Sequence, residues 1–302
     1  MNLGVITRQG PEFHPNLRLS QAAAQRGHQV YWLNPYRQYC ALKGGRPTTA
    51  GRLAHPALDA VLPRQGATLG RYCLDLIGHY ELMGIPMINR LNAVRLASNK
   101  FMTLQALSAA GLPAPDTWLV AREEGFSLAV EDLGGYPVVV KAVSGFQGEG
   151  VALVSDAAAA EKVLAQFLDR RRGLLVQGFI PPRGRRDLRV LVLGGKVAGA
   201  MMLRPKRNDF RANYHLSQDA RPVELAPEWG EMACEAAGAL GLEIAGVDIL
   251  VGRNSPAKVI EVNYSPGFKG LEAATGLDIA GKIIEHVESV CRWHADPSGQ
   301  KA

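Results

Sequence analysis

Two kinds of hydrophobic pattern alternate along the chain. Short apolar runs bounded by Gly, Pro or polar residues, at 3–6, 30–33 and 137–143, predict buried strands. Stretches with an apolar residue every third or fourth position predict helices at 16–26, closed by Gly27, at 156–169, and at 228–240, stopped by Gly241. A further helix capped by Ser98 carries Phe101, Leu104 and Leu107 and ends at Gly111 and Pro113, which puts Lys100 in its first turn. The last helix, from Asp278, sets Ile279, Ile283, Ile284 and Val287 on one face. Alternation predicts strands at 151–154 and 174–176, a hairpin from 188–193 through Gly194-Gly195 into 196–203, and a pair at 247–251 and 258–262. The opening strand, helix and strand form a βαβ start, while 37–64, rich in Gly, Pro and Thr, reads mostly as loop, and Gly84-Ile85-Pro86 marks the exit from a first lobe near residue 90. The fold class is thus α/β followed by α+β.

The 302 residues exceed the ~100–200 of one ordinary domain, which predicts two or three lobes sharing a cleft. Leu3-Gly4-Val5-Ile6 gives way at once to Thr7-Arg8-Gln9-Gly10, too short for a secretory signal, and no run approaches the ~18 apolar residues of a membrane span. Cys40, Cys73, Cys234 and Cys291 lie far apart with no CxxC pair, which argues against a zinc knot or a disulfide framework and for a reduced cytoplasm. A net charge of +6 points to anionic partners. It is concentrated: residues 170–211 hold twelve Lys and Arg against Asp187 and Asp209, and the remainder has more acidic than basic residues. Such a run is ordinarily a solvated face, so only part of it is expected at a ligand.

The turn after the first strand lacks the glycine spacing of a dinucleotide site, so the chemistry is sought downstream. With a turn centred between Asn254 and Ser255, Asp248 and Glu261 become cross-strand neighbours, and alternation puts Asn263 on the face of Glu261. Adjacent carboxylates repel unless a cation lies between them, and this oxygen-only set suits Mg²⁺ or Mn²⁺; solvated acids on an exposed edge hairpin are the plain alternative. Lys141, inside the apolar run, needs an anion, and Ser144, Gly145, Gln147, Gly148 and Gly150 form a turn whose amides could close over phosphate oxygens. Taken singly, the turn is an ordinary hairpin turn and Lys100 a solvated lysine. Arg189 alternates with Asp187 on a strand, and Arg204 and Arg211 flank a loop suited to phosphates and acidic substrates.

Read together, Val140-Lys141 with Gln147-Gly148-Glu149-Gly150, Val176-Gln177, Asp187-Leu188-Arg189, Asp209 to Asn213, Ala245 to Leu250 and Glu261 to Gly267 resemble the ATP-grasp superfamily. Within it they resemble RimK-type glutamate ligases, over almost the whole chain. The resemblance implies an ATP-grasp fold with an N-terminal Rossmann-like preATP-grasp domain at 1–90, a central lobe with the glycine-rich loop at 91–176, a C-terminal lobe with the metal site at 177–294, and a flexible tail at 295–302. It implies that Lys100 and Lys141 contact ATP phosphates, that Gln177, Gly178, Phe179 and Ile180 border the adenine, and that Asp187 with Arg211, Ala212 and Asn213 completes the nucleotide site. Asp248, Glu261 and Asn263 would bind two Mg²⁺ or Mn²⁺ ions. Asn99, Gly178, Leu216-Ser217-Gln218 and Tyr264 depart from the usual pattern.

The implied activity is a carboxylate–amine ligation through an acyl phosphate, with Arg189, Arg204 and Arg211 holding substrate carboxylate or intermediate phosphate and no covalent protein nucleophile. The implied partners are ATP, an amino acid with glutamate favoured, and a carboxylate acceptor such as a peptide or ribosomal protein, in the cytoplasm, with neither membrane nor direct nucleic-acid contact. Whether the chain forms a homo-oligomer stays open. A small-molecule amino-acid or dipeptide ligase is the alternative within the fold. A nucleotide-regulated RNA- or ribosome-binding protein is the alternative outside it, though the chain lacks the interleaved aromatics of a base-stacking surface.

Overall fold

The computed structural model describes residues 1–50, 56–66, 70–143, 150–203, 220–252 and 256–295. The chain opens with β1 (Asn2–Ile6), α1 (His14–Gln25) and β2 (Gln29–Leu33), then a hairpin of β3 (Tyr39–Lys43) and β4 (Arg46–Ala50), and β5 (Ala60–Pro63). Strands β2-β1-β5 form a parallel sheet in that order. Their continuous apolar runs fit a sheet covered on both faces. Helix α1 starts two residues earlier than its pattern predicts, because Pro15 occupies its first turn, where a missing N–H costs nothing. The hairpin corrects the reading of 37–64 as mostly loop: Gly44 and Gly45 both have positive φ, which allows a two-residue turn, while Cys40 and Leu42 stay exposed and so blur the alternation.

Three helices follow, α2 (Arg71–Leu82), α3 (Leu91–Ala97) and α4 (Lys100–Ala109). The cap of α4 is Asn99 rather than Ser98: Asn99 Oδ1 accepts from the amides of Phe101 and Met102 at 3.0 and 3.1 Å, while Ser98 Oγ turns back to the Arg95 carbonyl. Next, β6 (Thr117–Val120), α5 (Glu123–Asp132), β7 (Val138–Ala142), β8 (Val151–Val154), α6 (Ala157–Phe167) and β9 (Leu174–Gly178) build an antiparallel sheet in the order β6-β9-β7-β8. The remaining elements are β10 (Arg186–Leu193), β11 (Lys196–Leu203), β12 (Ala220–Pro222), α7 (Pro227–Ala239), β13 (Ile244–Val251), β14 (Lys258–Asn263), α8 (Lys269–Thr275) and α9 (Ile279–Ala295). Their strands form an antiparallel sheet in the order β12-β11-β10-β13-β14.

Strand alternation distributes this last sheet between two cores. Leu188, Val190 and Val192 join Ile6, Val61, Leu76 and Tyr80, whereas Leu191, Leu193 and Met201 join Leu3, Val5, Leu62 and the Ile279, Ile283, Ile284, Val287 face of α9. The parallel and five-stranded sheets therefore share both cores. The β6–β9 sheet encloses a separate one, built from residues such as Val120, Phe126, Val140, Leu174 and Val176.

Buried Asn89 fastens the first unit to the third. Its Nδ2 donates to the carbonyls of Ile244 and Tyr264 at 2.8 and 2.9 Å, and its Oδ1 accepts from the amides of Glu243 and Ile244 at 2.7 and 2.9 Å. Every hydrogen-bonding position of the amide is used, and truncation strands four buried backbone groups. Asn89→Ala is expected to destabilise the protein by about 3 kcal/mol or more, read from chemical denaturation; a loss below about 1 kcal/mol would show that water or relaxation replaces the tie.

Candidate active site

The centre of the site is one row across three strands. The register pairs Arg189 of β10 with Asp248 of β13, and Asp248 with Glu261 of β14, so the three side chains share a face. Asp248 and Glu261 are cross-strand neighbours as expected, and Asn263, opposite Gly246, stands one row further along the same face. The simple register does not continue toward the turn. Ile249 pairs with Val259, leaving Ile260 as a bulge, which re-aims the strand beside the acids. Although β14 is an edge strand, Val259 donates to the Pro113 carbonyl at 2.8 Å and Val259 and Val262 are buried, so the acids do not stand on a bare solvated hairpin.

Arg189 grips Asp248 in a bidentate pair, Nε to Oδ1 at 2.7 Å and Nη2 to Oδ2 at 2.6 Å. Burial opposes the guanidinium charge, but Asp248, seconded by Glu261, outweighs it and raises the Arg189 pKa. Lys100, Lys141 and Gln177 meet Glu261 in a single cleft between the two antiparallel sheets, floored by Leu175 and Val262. Burial lowers the Lys141 pKa to about 8, with Glu261 pulling it up, Lys100 pushing it down and Asp248 pulling it up again. Lys100 is lowered as well, by burial first, against the pull of Glu261. Its backbone N–H donates to the Val143 carbonyl at 3.0 Å, which ties the start of α4 to the end of β7.

Gln177 is buried on β9, and its Nε2 donates to Thr117 Oγ1 at 2.8 Å. Gly178 ends that strand, and Phe179 and Ile180 lead away from it toward β10. Asp187 is not a free carboxylate: Arg185 grips it through Nε at 2.7 Å and Nη2 at 2.8 Å and also donates to the Ile180 carbonyl. Burial raises the Asp187 pKa, Arg185 works against that rise, and Asp248 adds to it. Arg185, which only the Arg-x-Asp spacing at a strand start separates from the rest of the basic run, thus fixes the link between the lobes. Gly150 closes the base of the glycine-rich turn, with φ near +73° and room so tight that an added Cβ would lie 2.9 Å from the Ala142 Cβ. Ser144, Gly145, Gln147, Gly148, Arg204, Arg211, Ala212, Asn213 and the 296–302 part of the tail lie outside the described residues.

The donor set fits a hard divalent cation. Asp248, Glu261 and Asn263 offer oxygen only, no protein hydrogen bond reaches the Glu261 carboxylate among the described residues, and a carboxylate gripped by one guanidinium keeps lone pairs for a second partner. Among the described residues no group of three or more His, Cys, Asp and Glu is placed to hold a metal, so Asn263 would be needed in any such set.

An α/β unit followed by two antiparallel lobes, with Lys141 of one lobe and Lys100 of helix α4 meeting the carboxylates of the other, is the architecture of an ATP-grasp ligase. The chain belongs to the RimK family: residues 97–287 match the RimK-like ATP-grasp domain and residues 1–94 the RimK preATP-grasp domain. It is 37% identical over 295 residues to a probable alpha-L-glutamate ligase of Thioalkalivibrio sulfidiphilus, covering 97% of both chains. It is 38% identical over 285 residues to probable alpha-L-glutamate ligase 1 of Shewanella denitrificans, covering 94% of this chain and 96% of the relative. The solved RimK domain ATP-grasp protein of Sphaerobacter thermophilus superposes with a TM-score of 0.74 at 26% identity, over 95% of this chain and 99% of the other. The protein is accordingly an ATP-dependent carboxylate–amine ligase of the RimK type.

Removing Arg189 alone leaves Asp248 beside Glu261 with its main cation gone. Arg189→Met is expected to cost about 3 kcal/mol in denaturation, and the double variant Arg189→Met, Asp248→Leu to recover most of it. Additive losses would show that the pair is not coupled.

Proposed function

We propose that this ligase adds glutamate to the carboxyl end of a peptide or protein in a reduced cytoplasm. The observation that carries the reading is the meeting of Lys100, Lys141 and Gln177 with Glu261, beside Asp248, in one cleft between the lobes. The curated relatives named above are probable alpha-L-glutamate ligases, which favours glutamate as the added amino acid.

In this reading a substrate carboxylate oxygen attacks the γ-phosphorus of ATP, the bond to the bridging oxygen breaks, and ADP leaves. The amine of the second substrate then attacks the acyl carbon, the phosphate departs with the bonding pair, and the nitrogen loses a proton to leave an amide. The chain supplies positioning and charge rather than a nucleophile. Lys100 and Lys141 bind phosphate oxygens; Gln177 through Ile180 border the adenine; Asp187, held by Arg185, and the Arg211 to Asn213 stretch complete the nucleotide site. Arg189 holds Asp248 in place, and Arg204 and Arg211 face substrate carboxylate or the departing phosphate. Asp248, Glu261 and Asn263 would hold two Mg²⁺ or Mn²⁺ ions, which would neutralise charge on the triphosphate. The turn containing Ser144, Gly145, Gln147, Gly148 and Gly150 closes over the phosphates and keeps water from the acyl phosphate.

Asp248→Asn and Glu261→Gln are each expected to abolish acceptor-dependent ADP release, with an unchanged circular dichroism spectrum; undiminished release would remove the metal-site reading. Lys141 adds a pH signature. With its pKa near 8 in the free protein, the amine loses its proton as pH rises through that value, whereas a bound phosphate favours the charged form. Nucleotide affinity should therefore fall above about pH 8, and binding there should take up a proton, as read by calorimetry in buffers of different ionisation enthalpy. Lys141→Met should bind more weakly and lose that uptake. Mass spectrometry of products formed from ATP, Mg²⁺, an amino-acid panel and acidic peptides tests the glutamate assignment; products carrying other amino acids only would overturn it.

A further inference from the structure

The parallel sheet has a reversal in its strand order that lies away from the residues lining the ATP cleft. In the order β2-β1-β5 the chain leaves β1 toward one side and returns on the other, so the winding reverses between β1 and β5. In open α/β sheets, ligands settle at the carboxyl ends of the strands flanking such a reversal. Thr7 follows β1 there and Arg64 follows β5, with the Arg64 amide bonded to the Ile6 carbonyl at 2.8 Å. The opposite wall is Tyr264 to Phe268, the segment that continues directly from Asn263. Tyr264 Oη donates to the Gly66 carbonyl at 3.1 Å, and Arg64 Nη2 donates to the Pro266 carbonyl at 2.9 Å. Pro266 is fixed in turn, since Gly246 leaves no space there: an added Cβ would lie 2.7 Å from the Pro266 Cβ.

Arg64 is the anomaly of this crevice. Arg185 and Arg189, the guanidiniums sunk beside the ATP cleft, each hold a carboxylate in a bidentate pair. Among the described residues the Arg64 guanidinium makes one hydrogen bond, to the Pro266 carbonyl, lies 5.8 Å from the centroid of Phe268, and has no carboxylate within 4.0 Å. Burial lowers its pKa to about 10, against the pull of the Tyr264 phenol. A sunken cation without an anion is costly, and a carboxylate from outside would offset that cost through the remaining fork donors. Phe268 also meets the ring of His14 edge-on at 5.9 Å, and His14 Nδ1 is buried with no hydrogen-bond partner among the described residues.

We propose that Arg64 is a carboxylate receptor that binds and selects the amino-acid or peptide substrate in the crevice between β1 and β5, on the wall that continues from the metal-binding strand. That the ligand is a substrate rests on the ligase reading above. The arginine holds a carboxylate by two of its five N–H donors while a third stays on Pro266, which places the substrate one short loop from Glu261 and Asn263.

The test measures binding and turnover separately on the full chain with ADP and Mg²⁺. Calorimetric probes are L-glutamate, its two amides L-glutamine and L-isoglutamine, and tetraglutamate with a free or an amidated carboxyl end. The wild type is expected to bind at least one free acid about tenfold or more tightly than the matching amide, the difference one charged hydrogen-bonded pair supports. Arg64→Gln, which can still donate to Pro266, should erase that preference and leave ADP affinity unchanged. Should Arg64→Gln fail to fold, Arg64→Lys carries the comparison, with the preference reduced severalfold because the fork is lost. The same acid-over-amide preference in wild type and variant, or none in the wild type with any probe, overturns the proposal. If the preference disappears with Arg64 but no substrate pair releases ADP, Arg64 stands and the ligase reading falls. Normal ADP release with a preference that Arg64→Gln does not alter removes the receptor role and leaves the ligase reading in place.

Discussion

Two carboxylates set side by side across a pair of strands are the constraint around which this protein is arranged. Asp248 and Glu261 repel unless positive charge surrounds them, and the sheet register supplies it on one flank through Arg189. The other flank opens on the cleft, which Lys141 enters from the β6–β9 sheet and Lys100 from α4, a helix whose Leu104 and Leu107 share the core of β10 and β13. The lysines have the complementary difficulty, since burial disfavours their charge and the acids restore part of it. Arg189, Lys100 and Lys141 are thus grouped about two carboxylates, a charge arrangement that supports the phosphoryl-transfer reading proposed above.

The rest of the fold holds this face rigid. Leu188, Val190 and Val192 on one side of β10, and Leu191 and Leu193 on the other, are locked into the two cores that include the parallel sheet, so the strand bearing Arg189 cannot shift without disturbing both. Asn89 adds a polar fastening at the end of β13, where a packing contact alone would leave backbone groups unsatisfied. Among the described residues no helix is long and apolar enough to cross a membrane, and the four cysteines are free, one exposed and one buried.

Much of this was legible because period and spacing are local properties. The hairpin through Gly194-Gly195, the β8 strand and the apolar face of α9 follow from alternation and from three-to-four-residue repeats. Helix α2 was equally open to view, since Cys73, Leu76, Ile77 and Tyr80 repeat at helical spacing, yet it has no side-chain cap and an internal Gly78 interrupts the pattern. The Asp248–Glu261 pairing emerged from turn arithmetic, while the Ile260 bulge did not, because nothing in a run such as Val259-Ile260 shows which residue the ladder will skip. Alternation marks Arg189 as a candidate but not its grip on Asp248, and Asn89 is set apart only by the four backbone groups it meets. The partners of Arg189 and Asn89 lie far along the chain, where no local spacing points to them, whereas Asp187 stands two residues from Arg185.

The β6–β9 sheet enters and leaves the molecule through neighbouring strands: Thr117 of β6 pairs with Gln177 of β9, and Gly178 donates to the Asp116 carbonyl at 3.2 Å. Its start and finish thus lie side by side, and its core is its own. In the geometry of the chain this sheet is an insertion, joined to the remainder as a loop would be. Substitutions in its core can therefore shift Lys141 and Gln177, which it contributes to the cleft, without disturbing the two cores that hold Arg189 and Asp248 in line.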